Sequence, residues 1–398
     1  MRRHLLFRDA PAWALRSDNG KAAVLDFWFE SGRYWQRTIG QRSGVFSPAQ
    51  AQGYLTVSRA STGFIDNANG LYLSVASGMP RLSDKGLLVE EARTNLALWC
   101  RDFTNAAWAK TTMTAAMTAT GIDNGANSAS TVTATGAAAT ILQTVTQALT
   151  ADTVSFFIKR RTGTGTIEVT GDGVAYTDVT SSLSTTAWYR ASVSATLVNP
   201  VFGIRITTSG DAVDVDFAQL EAGTFATSPI LTTTATVTRA ADVVTVTTPP
   251  ALGSAYTLFG KGTPNAPNSG LSNNPQSLFQ LDDGSGNNRV QLSRRNVTGD
   301  YAAMNITTGG VATITNSDAS WLSRASGRQA VAVAVNDQAM SFNGTAIVTS
   351  VSALPIAPNA LRIGTNQSGA VQWNGYIERI ALWPGTRLSN NNLQRITA

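Results

Sequence analysis

Carboxylates are the only plentiful groups in this 398-residue chain that could carry acid–base chemistry. The chain holds one histidine, His4, and one cysteine, Cys100. It therefore lacks the imidazole that most general-base and metal chemistry uses, and it can form neither an intrachain disulfide nor a cysteine-based zinc site. Asp214 and Asp216 share one face of an alternating segment, and glycoside hydrolysis needs two carboxyl groups about 5 to 9.5 Å apart. Aspartates on the wet face of an amphipathic strand have the same pattern with no catalytic role, and that reading is preferred. Glu90 and Glu91 are adjacent, so on extended chain they point to opposite sides and do not form a pair. Asp282, Asp283 and Asn287, within Asp282-Asp283-Gly284-Ser285-Gly286-Asn287-Asn288, put hard oxygen donors on a glycine-rich turn of the kind calcium takes. The strict spacing of an EF-hand is missing, and an ordinary hairpin turn accounts for the same residues.

The elements that would position these groups are strands. Only 14% of residues are charged against 43% hydrophobic, and 34 glycines punctuate the chain. Ile204-Arg205-Ile206-Thr207 and Val213-Asp214-Val215-Asp216-Phe217 alternate at the period of a half-buried strand, and Ser155–Lys159 and Trp188–Arg190 read as inner strands of a sandwich. The Ala/Thr/Ser tract from Thr111 to Thr150 is strand-like through its threonines and interspersed valines and isoleucines. No heptads, solenoid repeats or β-helix rungs are visible. At this length two or three domains are expected. The net charge of +5 is scattered. Only short groups such as Lys159-Arg160-Arg161 and Arg294-Arg295 occur, which speaks against nucleic acid as a partner. The start, Met1 to Asp9, has an apolar run too short for a signal peptide, and no stretch approaches the roughly 18 apolar residues that span a bilayer.

Several phrases resemble a family of tailed-phage virion proteins: Val57-Ser58-Arg59-Ala60-Ser61-Thr62, Gly86-Leu87-Leu88-Val89-Glu90-Glu91-Ala92-Arg93-Thr94-Asn95-Leu96, Asn105-Ala106-Ala107-Trp108, Gln219-Leu220-Glu221-Ala222-Gly223 and Val237-Thr238-Arg239-Ala240-Ala241-Asp242. In that family they bracket a carbohydrate-binding-module-like β-sandwich. A second resemblance, to concanavalin A-like lectin and laminin G-like sandwiches, covers residues from about 250 onward. It rests on Val331–Val335 turning through Asn336-Asp337 into Met340–Ile347, on Leu361–Gly364, and on Trp373–Trp383. Asn343-Gly344 and Asn374-Gly375 read as turns needing positive φ.

Together these give an all-β expectation: an N-terminal anchoring segment followed by two jelly-roll β-sandwich domains. Residues 1–55, rich in aromatics and arginines, would anchor or oligomerise the chain; 56–98 form a connecting β segment, 99–245 the carbohydrate-binding-module-like sandwich and 246–398 the lectin-like one. The resemblance implies a non-enzymatic tail fibre or head spike of a phage, prophage or gene-transfer particle that binds host surface polysaccharide. It would be made in the bacterial cytoplasm without a signal peptide and carried on the particle, as a homo-oligomer with a trimer favoured, held to other virion proteins through its N-terminal segment, without membrane insertion. Trp321, Trp373 and Tyr301 in the lectin-like domain, with Trp108 and Tyr176 in the middle one, are the aromatic candidates for stacking on sugars. Calcium is the one cofactor left open. A structural connector without glycan binding, and a polysaccharide depolymerase, are the alternatives.

Overall fold

The computed structural model describes residues 10–17, 19–37, 40–42, 51–266, 275–296, 300–355 and 358–398. His4 and parts of the expected anchoring segment lie outside them. The described residues are nearly all β, folded as multiple sandwich sheets, and the chain closes on a C-terminal helix, Asn390–Thr397. It forms two compact units. The first contains the described residues up to Ala60, Ser77–Glu91 and Ala241–Ala398, and the second contains Ser61–Ala76 and Ala92–Ala240. Three of the recurrent phrases thus span the points where the chain passes from one unit to the other. Among the described residues no helix is long and apolar enough to cross a membrane.

The first unit is a sandwich of two antiparallel sheets. One is seven-stranded, in the order Val311–Ser320, Asp300–Thr308, Arg289–Asn296, Gln276–Asp282, Ala360–Ile363, Val243–Val246, Leu55–Ser58. The other, ten-stranded, runs Val348–Ser350, Asp337–Phe342, Gly327–Ala334, Ala255–Pro264, Gly375–Pro384, Leu25–Trp28, Arg33–Gln36, Gly40–Arg42, with the hairpin Leu82–Ser83 and Gly86–Val89 attached to Gly375–Pro384. Inward residues at period two, such as Leu258, Val331, Ile380 and Leu382 from the larger sheet and Phe279, Leu281, Leu292 and Met304 from the smaller, fill one core. On the outer side of the larger sheet, Ala330, Ala332, Ala339, Ala381 and Trp383 take the apolar face of the C-terminal helix, Leu393 and Ile396.

The expected strand, turn, strand in Leu25–Trp35 is present, and it is part of the ten-stranded sheet of the first unit. Leu25–Trp28 pairs with Gly375–Pro384, Leu25 opposite Leu382. Phe27, Phe29, Tyr34 and Tyr54 pack edge-on or stacked within the first unit's core, with ring centroids 5.4 to 6.1 Å apart. Four of the aromatics that suggested an outside partner, Phe27, Phe29, Tyr34 and Tyr54, are thus core residues of the first unit.

The second unit is a sandwich of two five-stranded antiparallel sheets. One holds Ala109–Thr111, Ala139–Thr144, Val201–Ile206, Ile167–Thr170 and Thr177–Asp178; the other holds Met113–Ala119, Ala129–Ala134, Ala212–Ala222, Thr150–Thr162 and Tyr189–Leu197. Phe156, Ile158, Val213, Val215, Ile204, Ile206 and Phe202 form its centre. Ser155–Lys159 is indeed in an interior strand, whereas Trp188–Arg190 opens an edge strand. Cys100 is buried there, its sulfur accepting the Thr232 N–H at 3.2 Å, and burial pushes its thiol up to about 11. A disulfide-exchange reagent at pH 8 is therefore expected to leave the native protein unlabelled and to modify one thiol per chain in denaturant. Rapid native labelling would contradict this burial.

Asn343, Gly344 and Asn374 do adopt positive φ (47°, 72° and 51°). Gly375 is there for a different reason, since a Cβ on it would lie 2.2 Å from the Thr263 carbonyl oxygen.

Candidate functional site

On the outer side of the ten-stranded sheet, beyond the helix, the strand pattern assembles a charged cleft. Leu25-Asp26-Phe27-Trp28-Phe29-Glu30 alternates so that Leu25, Phe27 and Phe29 face the core and Asp26, Trp28 and Glu30 face outward. On the neighbouring strand the alternation breaks: Lys261 pairs with Arg379 and Gly262 with Ile377, leaving Glu378 as the extra residue of a bulge. A bulge re-aims side chains. Here it puts Glu378 and Arg379, consecutive in sequence, on the same outward face as Tyr376, Lys261 and Thr263.

Lys261 joins two carboxylates. Its Nζ donates to Glu30 Oε1 and Oε2 at 3.0 and 3.2 Å and lies 2.5 Å from Glu378 Oε2. Burial alone would lower the Lys261 pKa, but the hydrogen bonds and charges of Glu378 and Glu30 outweigh it and the ammonium is held above its ordinary range. Glu378 also accepts from Thr263 Oγ1 at 2.6 Å and from Ser326 Oγ at 3.0 Å, and Trp28 Nε1 donates to Glu30 Oε1 at 2.8 Å. Arg379 grips Asp26 through two bonds of 2.9 and 2.6 Å and lies 4.6 Å from the Trp28 ring centre, with Arg33 at 5.5 Å from the same ring. The turn before Gly86–Val89 brings Lys85 to 5.8 Å from the Tyr376 ring. The cleft, about 480 Å³, is lined by Glu30, Lys85, Thr263, Asn265, Arg324, Tyr376 and Glu378. Most of these side chains are apolar along their length and charged or hydroxylated at the end, so the walls offer apolar contact and directed hydrogen bonds together.

The residues chosen from sequence lie elsewhere. Trp321 and Trp373 are fully buried, ring against ring at 4.9 Å, and Trp108 is 1% exposed, stacked on Phe103 at 4.3 Å. These three are core and cannot present a face to a sugar. Sandwich interiors take the largest rings because those rings bury most apolar area. Tyr301 is half-buried in its strand opposite Arg295, and Tyr176 is half-buried with the Arg205 guanidinium 3.8 Å from its ring centre.

Asp214 and Asp216 are not a catalytic pair, nor are they solvent-facing. Asp216 is buried and bound by Arg101 Nε and Nη2 at 2.7 and 2.9 Å and by two backbone N–H groups; burial pushes its carboxyl upward against the pull of Arg101. Asp214 pairs with Lys159 and Arg161. In the Asp282–Asn288 turn, Asp282 is committed to Arg362 by bonds of 2.7 and 3.1 Å, and Asp283 to Ser285 and Asn288. Asn287 is exposed. Among the described residues no group of three or more His, Cys, Asp or Glu side chains that could hold a metal ion forms.

The recurrent phrases turn out to be buried polar frameworks. In the first unit Arg59, Arg81, Glu90 and Asp242 form one ion cluster. Arg59 and Arg81 both bind Asp242, Arg81 Nη1 lies 2.7 Å from Glu90 Oε2, and burial's penalty on the Arg81 charge is outweighed by the two acids. In the second unit Asn95 makes four bonds, to Ala218 O, Ile230 O, Ala97 N and Leu220 N, while Gln219, Glu221 and Arg239 converge on Thr227, Ser228 and Ile230. Gly223 has φ 120°, a backbone conformation that residues with a Cβ rarely adopt, and the Arg93 guanidinium lies against it.

No protein-family model and no curated protein matches the chain. Among solved structures it is similar to the CBM40 of the Ruminococcus gnavus IT-sialidase bound to α2,3-sialyllactose, at 21% identity over 37% of this chain and 84% of that one, with a TM-score of 0.31. It is also similar to full-length tailspike protein 2 of an Escherichia coli bacteriophage, at 12% identity over 38% and 22% of the two chains, with a TM-score of 0.26. Domains LG4-5 of the mouse laminin alpha1 chain give 9% identity over 62% and 86%, with a TM-score of 0.24. At these values the likenesses assign no ligand to this chain, and the cleft has to be judged on its own geometry.

That geometry suits binding better than bond cleavage. Glu30 and Glu378 are near enough to share one lysine, but the Lys261 ammonium occupies the space between them where a scissile bond would have to lie. The signal for the cleft was present in the sequence, in the period of Asp26, Trp28 and Glu30 and in the adjacent charges Glu378-Arg379, which no regular strand can both place outward.

Proposed function

We propose that the protein is a non-catalytic, glycan-binding surface protein of a tailed-phage or gene-transfer-type particle. The observation that carries the binding step is the cleft around Lys261, whose side chains offer hydrogen-bond donors and acceptors beside the Tyr376 ring. The placement on a particle is supported by the recurrent phrases of the sequence alone. Display as a homo-oligomer, a trimer by preference, would let weak sites act together. Calcium, if it takes part, would do so outside the Lys261 cleft.

The test is binding of the full-length protein to bacterial cells with and without their surface polysaccharide, with released reducing ends assayed in the supernatant. Polysaccharide-dependent binding without release is the expected result. Glu30→Gln, which keeps the shape and removes a charge from the cleft, should weaken binding about tenfold, equal to roughly 1.4 kcal/mol, with an unchanged melting temperature. Release of reducing ends would replace this reading with a depolymerase, and absence of binding would leave the structural connector.

A further inference from the structure

We propose that one end of the first unit's sandwich holds a second binding site, which takes an acetyl group carried by a sugar. The choice of a sugar as carrier rests on the glycan-binding reading above, and the pocket itself is separate from the Lys261 cleft.

The strand Ala255–Pro264 runs from one pocket to the other. Thr263, near its end, lines the Lys261 cleft, and Tyr256, near its start, lines a pocket of about 460 Å³. Four prolines, Pro249, Pro250, Pro355 and Pro358, wall this pocket together with Leu252, while Tyr256 and Leu281 reach it from the larger and the smaller sheet. The walls are stiff. Proline fixes its own φ. The Leu252 carbonyl accepts from the Gly385 N–H at 2.7 Å, the Ala353 carbonyl accepts from Thr308 Oγ1 at 2.9 Å, and the Asn359 N–H donates to the Asp282 carbonyl at 2.8 Å. A pocket shaped in advance loses little affinity to the ordering of its own loops.

What points to a ligand is the Tyr256 hydroxyl. Tyr256 is 2% exposed, and its hydroxyl makes no hydrogen bond among the described residues. Burial holds the phenol above its ordinary range, so it stays protonated and able to donate. A buried hydroxyl without a partner is costly, and polar groups in native interiors are nearly always matched. Apart from Tyr256, Asn359 is the one lining residue among those described whose side chain can hydrogen-bond, and it stands exposed at the rim with its amide unpartnered.

The group that completes such a pocket is a neutral acceptor joined to an apolar surface. A carboxylate or an ammonium would lose its water against proline and leucine with no opposite charge to meet it. A sugar hydroxyl can accept from Tyr256, but it brings a proton of its own that these side chains cannot take. A carbonyl accepts and donates nothing. In an acetyl group it is joined to a methyl that proline and leucine cover. The Asn359 amide, a donor and an acceptor together, is then placed to meet hydroxyls of the sugar ring that carries the acetyl group.

The experiment titrates the full-length protein with methyl 6-O-acetylglucoside, methyl N-acetylglucosaminide and unsubstituted methyl glucoside, observed by saturation-transfer NMR. The expected result is that at least one acetylated glycoside binds ten or more times tighter than methyl glucoside, with its acetyl methyl the most strongly saturated group. The two acetylated arms separate an ester from an amide. Tyr256→Phe should keep the parental melting temperature, because the hydroxyl it removes has no partner, and should bring the acetylated glycosides to within twofold of methyl glucoside. Glu30→Gln, in the other cleft, should leave the preference unchanged. Equal binding of the three glycosides, no binding of either acetylated one, or a preference that survives Tyr256→Phe would overturn the inference. So would a melting temperature several degrees lower in Tyr256→Phe, which would show the hydroxyl to be partnered within the protein. Polysaccharide-dependent binding to cells alongside any of these results leaves the glycan-binding reading standing, and its absence alongside them removes both.

Discussion

Asp242→Ala is expected to lower the thermal midpoint of the first unit by on the order of 10 °C. Asp242 is 1% exposed and serves four groups: the guanidinium groups of Arg59 and Arg81, the Glu90 N–H at 2.9 Å, and through its own N–H the Glu90 carbonyl at 2.9 Å. The substitution keeps only the last. The buried cluster of two arginines and two acids then loses one of its two negative charges. Truncating one partner of a buried ion pair typically costs about 3–5 kcal/mol. For a unit of this size each kcal/mol shifts the midpoint by roughly 2–4 °C. Asp242→Asn retains acceptor and volume but not charge, so it should fall between parent and alanine variant. The check is calorimetry of the three proteins at neutral pH. A midpoint within about 2 °C of the parent for Asp242→Ala would mean that the network contributes little net stability.

This cluster also shows how far the sequence could be read. The phrases around Arg59, Glu90 and Asp242 stood out only through their resemblance to those of a family of tailed-phage virion proteins. Their mutual contact was not legible, because Arg59, Arg81, Glu90 and Asp242 are brought together from segments separated by up to 183 positions, and no local period reports that pairing. Strand existence was legible from alternation, as in Ile204–Thr207 and Val213–Phe217. The direction of those faces was not always legible. Asp214 and Asp216 read as solvent-facing, yet Asp216 is inside because Arg101 and two N–H groups replace its water. Polar residues at period two mark one face of a strand, and a charged partner elsewhere can turn that face inward. The functional cleft was hidden for a related reason. It needs the outward side of Leu25–Trp28, assigned from sequence to a separate anchor, beside the bulged strand Gly375–Pro384, and that adjacency is a product of sheet order alone.

Trp373→Ala is expected to cost about 3–5 kcal/mol, the range for deleting a fully buried large ring, and to act on binding only through folding. The Trp373 indole donates to the Tyr376 carbonyl at 3.0 Å and stands edge-on to Trp321, which in turn lies 4.9 Å from Phe342. The strands make room for the pair with glycine: a Cβ on Gly262 would come within 3.1 Å of the Trp373 nitrogen, and one on Gly327 within 2.6 Å of the Trp321 ring. Such a fitted site relaxes poorly around a void. The ring also fixes the backbone at Tyr376, two residues before the bulge that aims Glu378 into the cleft. Well below its lowered midpoint the variant should therefore keep part of its affinity, and Trp373→Phe, which refills most of the volume but loses the N–H, should lose less than half as much stability. Denaturant unfolding and cell binding measured on the same samples decide the matter. A Trp373→Ala protein with parental stability and no binding would show that the ring meets the ligand itself. Stability lost first, with binding following it, would place Trp373 in the support beneath the cleft.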